Sequence, residues 1–174
     1  MPAVDDPNFS HSVTYICEHN EQGAMGITIN RPLADLGLGD VLDHMKISCS
    51  NPQIRQRPIY VGGPVAVERG FVLHSPAGGW DSTLTITDEI GLTTSRDILQ
   101  AMAEGAGPAR VIIALGYSGW TAGQLEQEIA ENTWLTVDAH PSLIFDVPVA
   151  DRWRTAAQSL GVDMHLIAGE AGHA

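Results

Sequence analysis

A chain of 174 residues, 44% of them hydrophobic and 17% charged, is long enough to bury a core without staples and reads as one globular domain over 1–174. Its formal net charge of −12 argues against sequence-independent nucleic-acid binding, which needs a dense basic face, and against docking on anionic membranes. The longest apolar run, Val111–Leu115, falls far short of the roughly 20 residues of a membrane span.

The opening MPAVDDPNFS has two acids, two prolines and no basic region, so it does not read as an export signal. Cys17 and Cys49 are therefore expected as reduced thiols in a cytoplasmic protein. A hairpin comes first. In Val13–His19 the residues Val13, Tyr15 and Cys17 alternate onto one face; the turn at 19–24 leads to Met25–Arg31, where Met25, Ile27 and Ile29 alternate likewise. Pro32 is expected to end that strand. A short helix covers about Gly39–Met45, and residues 48–58 read as an irregular loop.

Short strands follow at Ile59–Val61, Phe71–His74, Leu84–Thr87 and Gly91–Thr93, separated by the breakers GGP (62–64) and SPAGGW (75–80). Thr94 or Ser95 can cap the next helix, with Asp97 as a capping acid, an apolar stripe of Ile98, Leu99 and Met102, and a stop at Gly105. Val111–Leu115 is a buried-type strand. The glycines at 116, 119 and 123 read as a turn carrying Ser118 and Trp120 into an acidic helix with Leu125 and Ile129 on its buried stripe. A second Trp-bearing strand (Trp134) is expected, then a loop at 138–142. A last helix starts near Pro148, with Val149, Trp153, Ala157 and Leu160 at helical spacing. Gly161 is a natural stop for it, Val162–Ala168 is a candidate final strand, and GEAGHA a frayed tail. Adjacent strands without intervening helices, together with three peripheral helices, indicate α+β.

No complete catalytic, metal or cofactor motif is present. Gly116-Tyr117-Ser118-Gly119-Trp120 approaches the nucleophile elbow G-x-S-x-G, but Trp120 stands where the second glycine belongs. The spacing of Gly116, Gly119 and Gly123 is neither Walker A nor the dinucleotide fingerprint, and no lysine follows. A small polar or anionic ligand near Ser118, Gly119, Trp120 and Gln124 is the functional reading; close strand–helix packing is the structural one. Cys17 and His19 fall on one strand face, yet Cys17 continues an apolar row, and Glu18 beside it opposes a lowered thiol pKa; Cys17 is kept as the redox candidate. Asn30-Arg31, Arg69 and Ser95-Arg96 lie at strand ends or a helix start. Brought together, they would form an anion pocket; apart, they would make surface ion pairs.

Five segments, MPAVDDPNFSHSVTYICEHNEQGAMGITINRP (1–32), YVGGPVAVERGFVLHS (60–75), LTTSRDILQAMAEGAGP (92–108), ALGYSGWTAGQLEQEIAENTWL (114–135) and the ending AGHA (171–174), give the chain its likeness: it resembles the AlgH/YqgE family of bacterial proteins over nearly its whole length. The resemblance implies an α+β fold with a bifurcated, mostly antiparallel sheet, partly closed into a small barrel and surrounded by about three to four helices. Members are often labelled transcriptional regulators, and the family supplies no catalytic set to carry over. It also implies an apolar strand of the type FLIA ahead of the segment that begins here at Met1; a chain lacking it would leave a sheet edge and part of the core uncovered.

The expectation is therefore a non-enzymatic binding or regulatory protein without a cofactor or metal. Its partner is an unidentified small molecule or protein, with candidate contacts at Asn30, Arg31, Arg69, Ser95, Arg96, Ser118, Gly119, Trp120 and Gln124. The alternatives are a hydrolase using Ser118, a thiol-redox protein using Cys17, and a nucleic-acid-processing protein.

Overall fold

The computed structural model describes residues 11–160; the expectations at Gly161, Val162–Ala168 and the tail lie outside them. In chain order the elements are β1 (Thr14–Asn20), β2 (Gly23–Thr28), β3 (Pro32–Gly37), α1 (Leu38–His44), α2 (Pro52–Arg55), β4 (Pro58–Val61), β5 (Val65–Ser75), β6 (Thr83–Thr85), β7 (Gly91–Thr93), α3 (Arg96–Ala103), β8 (Arg110–Thr121), α4 (Gln124–Ala130) and α5 (Arg152–Ser159). A π-helical turn at Ser142–Asp146 and a 3-10 turn at Val149–Asp151 lead into α5. The sheet runs β1-β2-β8-β5-β7-β6, with β3 and β4 off this path. It is mostly antiparallel and curls into a half-barrel, an α+β fold.

β8 organises the molecule. Its first half pairs antiparallel with β5 (Gly70↔Leu115 to Ser75↔Arg110) and parallel with β4 (Ile59↔Ile113 to Val61↔Leu115). Its second half pairs with β2, from Gly26↔Ser118 to Gly23↔Thr121. The sheet therefore forks where β4 leaves and β2 joins. Gly62 sits at the fork: its N–H donates to the Leu115 carbonyl and its carbonyl accepts from Thr28 N–H, both at 2.8 Å.

The apolar run Val111–Leu115 reflects burial on both sides of the sheet, since neighbouring side chains serve different cores. Ile112 and Ala114 join Tyr15, Ile27, Ile29, Phe71, Leu73 and Ile144 in one cluster. Ile113 joins Leu38, Leu42, Ile59, Val72, Ile98, Leu99 and Met102 in the other. The expected stripe of α3 is thus the second core's lid. Arg152, only 5% exposed, ties α5 to the sheet. Its guanidinium donates to the carbonyls of Ile29 and Val147 (3.0 Å for Val147) and lies 5.5 Å from the centre of the Tyr60 ring.

Several local expectations change. Residues 116–121 are not a turn but the continuation of β8, because Gly116 adopts φ +78 and lets the strand bend rather than end. Pro32 does not end the second strand; β2 stops at Thr28 and Pro32 opens β3. The loop at 48–58 contains α2, capped by the Asn51 side chain accepting from Gln53 N–H at 2.9 Å. Five α-helices appear among the described residues, more than the three to four expected, because α2, four residues long, shows no apolar stripe. No strand forms at Trp134; that residue packs with Trp120 and Leu125 instead.

A Cβ at Gly116 would sit 3.0 Å from the Val65 carbonyl oxygen and 3.3 Å from Val67 Cα, in a left-handed backbone conformation. Gly116→Ala is expected to destabilise the protein by about 1 kcal/mol or more, read as a lowered urea midpoint at unchanged slope. An unchanged midpoint would mean that the bend in β8 tolerates a side chain.

Candidate functional site

Between β1, β8, α4, the π-helical turn and α5 lies a chamber of about 260 Å³. Its floor is Ser12–Ile16 with Ile29; Trp120, Leu125 and Ile129 form one wall, Leu143, Ile144, Trp153, Ala156 and Ala157 the other, and Trp134–Val137 runs along the rim. Among the described residues that line it, none is charged, and the polar groups are the hydroxyls of Ser12, Thr14, Tyr15 and Thr136 and the indole N–H groups. Leu135 and Leu160, 45% and 39% exposed, line it where it meets solvent.

The strand–helix segment builds this wall by three tethers. Trp120 Nε1 and Trp134 Nε1 both donate to Glu128 Oε1, at 3.3 and 3.0 Å, so one carboxylate fixes two indoles whose rings meet edge-on at 5.8 Å. His19, at the end of β1, pairs with Glu126 on α4 and holds that carboxyl below its usual range. Gln124 Oε1 accepts from the Thr121 N–H at 3.0 Å and so joins the end of β8 to the start of α4. Gln124, a ligand candidate from the sequence, and Glu128 are thus engaged as fasteners of this wall.

The sequence-derived candidates are placed apart. Trp120 lines the chamber; Ser118, 1% exposed, is buried opposite Gly26, and its hydroxyl has no hydrogen-bond partner among the described residues. A hydroxyl enclosed in a β-ladder is not the raised nucleophile of an elbow, and the strained strand-to-helix turn that mechanism requires is not formed here. Gly119 is exposed and pairs with Met25. Asn30 is a fastener, accepting from Val13 N–H at 2.8 Å and donating to the His11 carbonyl at 2.9 Å. Arg31 lines a cleft of about 390 Å³ with His11, Asn30, Trp153 and Arg154, a cleft that includes neither Arg69 nor Arg96. Arg69 lies 5.5 Å from the centre of the Phe71 ring. Arg96 donates to the Met45 carbonyl at 2.7 Å, while Ser95 donates to Asp97 at 2.5 Å and accepts from Ser82 N–H. The three arginines thus serve three different places.

Cys17 falls at an irregularity in the β1–β2 register, between Ile16 and Glu18, which separates it from the exposed His19. Burial pushes its thiol from 9.0 up to about 12, the opposite of what thiolate chemistry requires. Tyr15 beside it rises from 10.0 to about 12, again through burial and then through Cys17.

Comparison with known proteins decides the family. A family model described as AlgH-like matches residues 1–165. The chain belongs to the AlgH-like family. A UPF0301 protein of Thioalkalivibrio sulfidiphilus is 59% identical over 174 residues, covering 100% of this chain and 92% of that protein. The solution structure of AlgH from Pseudomonas aeruginosa is similar to this AlgH-like chain with a TM-score of 0.80 and 49% identity, over 100% of this chain and 92% of that one. Protein DIP2367 of Corynebacterium diphtheriae shares the fold at a TM-score of 0.72 and 22% identity, over 95% of this chain and 85% of that one. No helix among the described residues is long and apolar enough to cross a membrane.

Sequence reasoning found Trp120 but not the chamber. Trp153 and Ala157 were visible only as a helix stripe, and nothing local signals that this stripe faces β1 across a gap.

The raised thiol has a signed consequence. Its neutral form stabilises the fold fully below pH 9.0 and loses that contribution as pH climbs toward about 12. Wild-type stability is expected to fall over that window, less steeply in Cys17→Ala, where Tyr15 alone remains. Iodoacetamide on the native protein should modify the half-buried Cys49 well before Cys17; equal rates would restore Cys17 as a reactive thiol.

Proposed function

We propose that this AlgH-like chain is a non-enzymatic binding protein whose chamber receives an apolar group of a small molecule. The observation that supports this most directly is the chamber's lining: three of the chain's four tryptophans, aliphatic side chains, and no charged residue among those described. Ligand pockets have this composition, predominantly apolar with a few placed polar groups. A cavity of about 150 Å³ accommodates benzene, so one of about 260 Å³ fits a fused bicyclic ring or a chain of about eight carbons. For the ligand expected around Gly116–Gln124 this reading favours an apolar group, because residues 116–121 continue β8 and Trp120 lines the chamber. Any part in transcription would be indirect, with the bound molecule changing how α4 and α5 present themselves to a protein partner.

Calorimetric titration with 2-naphthol, a neutral bicyclic probe, should give saturable binding with a negative heat-capacity change. At a free concentration one hundredfold above Kd it should stabilise the fold by about 2.7 kcal/mol. Ala157→Leu fills the chamber from α5 and should abolish binding without lowering Tm. Undiminished naphthol affinity in that variant would place the ligand elsewhere.

A further inference from the structure

The chamber has a neighbour of opposite character. The cleft of Arg31, Arg154, His11 and Asn30 shares Trp153 with it, and two short stretches of chain serve both: His11 lines the cleft and Ser12 the chamber, Asn30 the cleft and Ile29 the chamber. We infer that chamber and cleft are two halves of one site for an amphipathic anion, with the apolar body in the chamber and a carboxylate or phosphate head at the arginines. This rests on the reading of the chamber as a binding site and adds the class of ligand.

Three observations support it. First, the side chains described along the chamber offer an anion hydroxyls and indole N–H groups, and of the three indoles those of Trp120 and Trp134 are committed to Glu128. A charged head moved inside would lose its hydration without a counter-charge. The body can enter; the head must stay at the border. Second, two of the protein's nine basic residues, Arg31 and Arg154, line the cleft, in a chain with 21 acidic residues. Arginine's planar fork is suited to two-point recognition of either head group. Arg154 already lies 3.6 Å from the exposed Asp151 carboxylate, a loose contact that a bound head can exchange or share. Third, the partition is built rather than incidental. Asn30 holds His11 through its carbonyl and Val13 through its N–H, and the His11 ring meets Trp153 edge-on at 4.6 Å. These contacts fix the position of the shared wall relative to both halves.

The acidic whole repels anions at long range, so a preference for an anion must come from this local arrangement. Octanoate, octyl phosphate and 1-octanol should be titrated against the wild type, Arg31→Gln and Arg154→Gln, each variant first checked for an unchanged thermal melt. At least one of the two anions should bind roughly tenfold or more tightly than octanol, the ratio that a charge-assisted hydrogen bond supports. The tighter of octanoate and octyl phosphate names the head group. Each substitution should remove the preference and leave octanol affinity in place; if Arg31→Gln does not fold, Arg154→Gln on the exposed side carries the test. Octanol binding as tightly as both anions, or a preference that survives in the folded variants, overturns the inference while 2-naphthol binding keeps the chamber reading intact. If 2-naphthol and all three octyl compounds fail to bind, both readings fall together.

Discussion

One strand serving three partners is the constraint on which the rest of this molecule depends. β8 is paired by β5 along one edge, while its other edge is handed from β4 to β2. The transfer needs backbones closer than side chains allow, and glycines at 62, 63 and 116 supply the space. Because the strand bends instead of ending, its first half divides two cores and its second half carries Trp120 beyond them into a third, smaller cluster. The chamber exists because that third cluster is separated from α5.

The legibility of the fold follows from how local each determinant is. The β1–β2 hairpin and α3 were readable because alternation and an i, i+3, i+4 stripe are local signals of burial on one side. The run at 111–115 was readable as buried, and its two-sided burial explains why it lacks alternation. The segment at 116–121 was misread because glycine has two uses with one appearance: it ends strands, and it also admits a crossing backbone. Which use applies is decided by Gly62 and Val65, some fifty residues away. The arm at 65–70 was missed for a different reason. Its residues are exposed and polar-flanked, so no apolar row marks it, and it belongs to β5 only through pairing with Tyr117.

The candidate site was legible in its parts and not in its assembly. Trp120 and Arg31 were identified, but their relation passes through Trp153, which the sequence presents only as one member of a helical stripe. Arg69 and Arg96 resembled Arg31 in setting, at an element end beside a small residue, yet the fold sends them to Phe71 and Met45. Residue type and local context cannot separate an arginine that packs on a ring from one that lines a cleft. The family resemblance could not help there, because it supplied a fold and no site.

Arg152 carries a consequence for synthesis. Its guanidinium reaches the Ile29 carbonyl, 123 positions earlier in the chain, and α5 is the last helix among the described residues. A chain growing from its N-terminus can form the β1–β2 hairpin early, but Ile29 must wait for Arg152 to leave the ribosome before the wall facing β1 can close. At about 5–20 residues per second, that leaves several seconds in which Ile29 stands without its cover. The same apolar surface that later lines a chamber is, during those seconds, open to water.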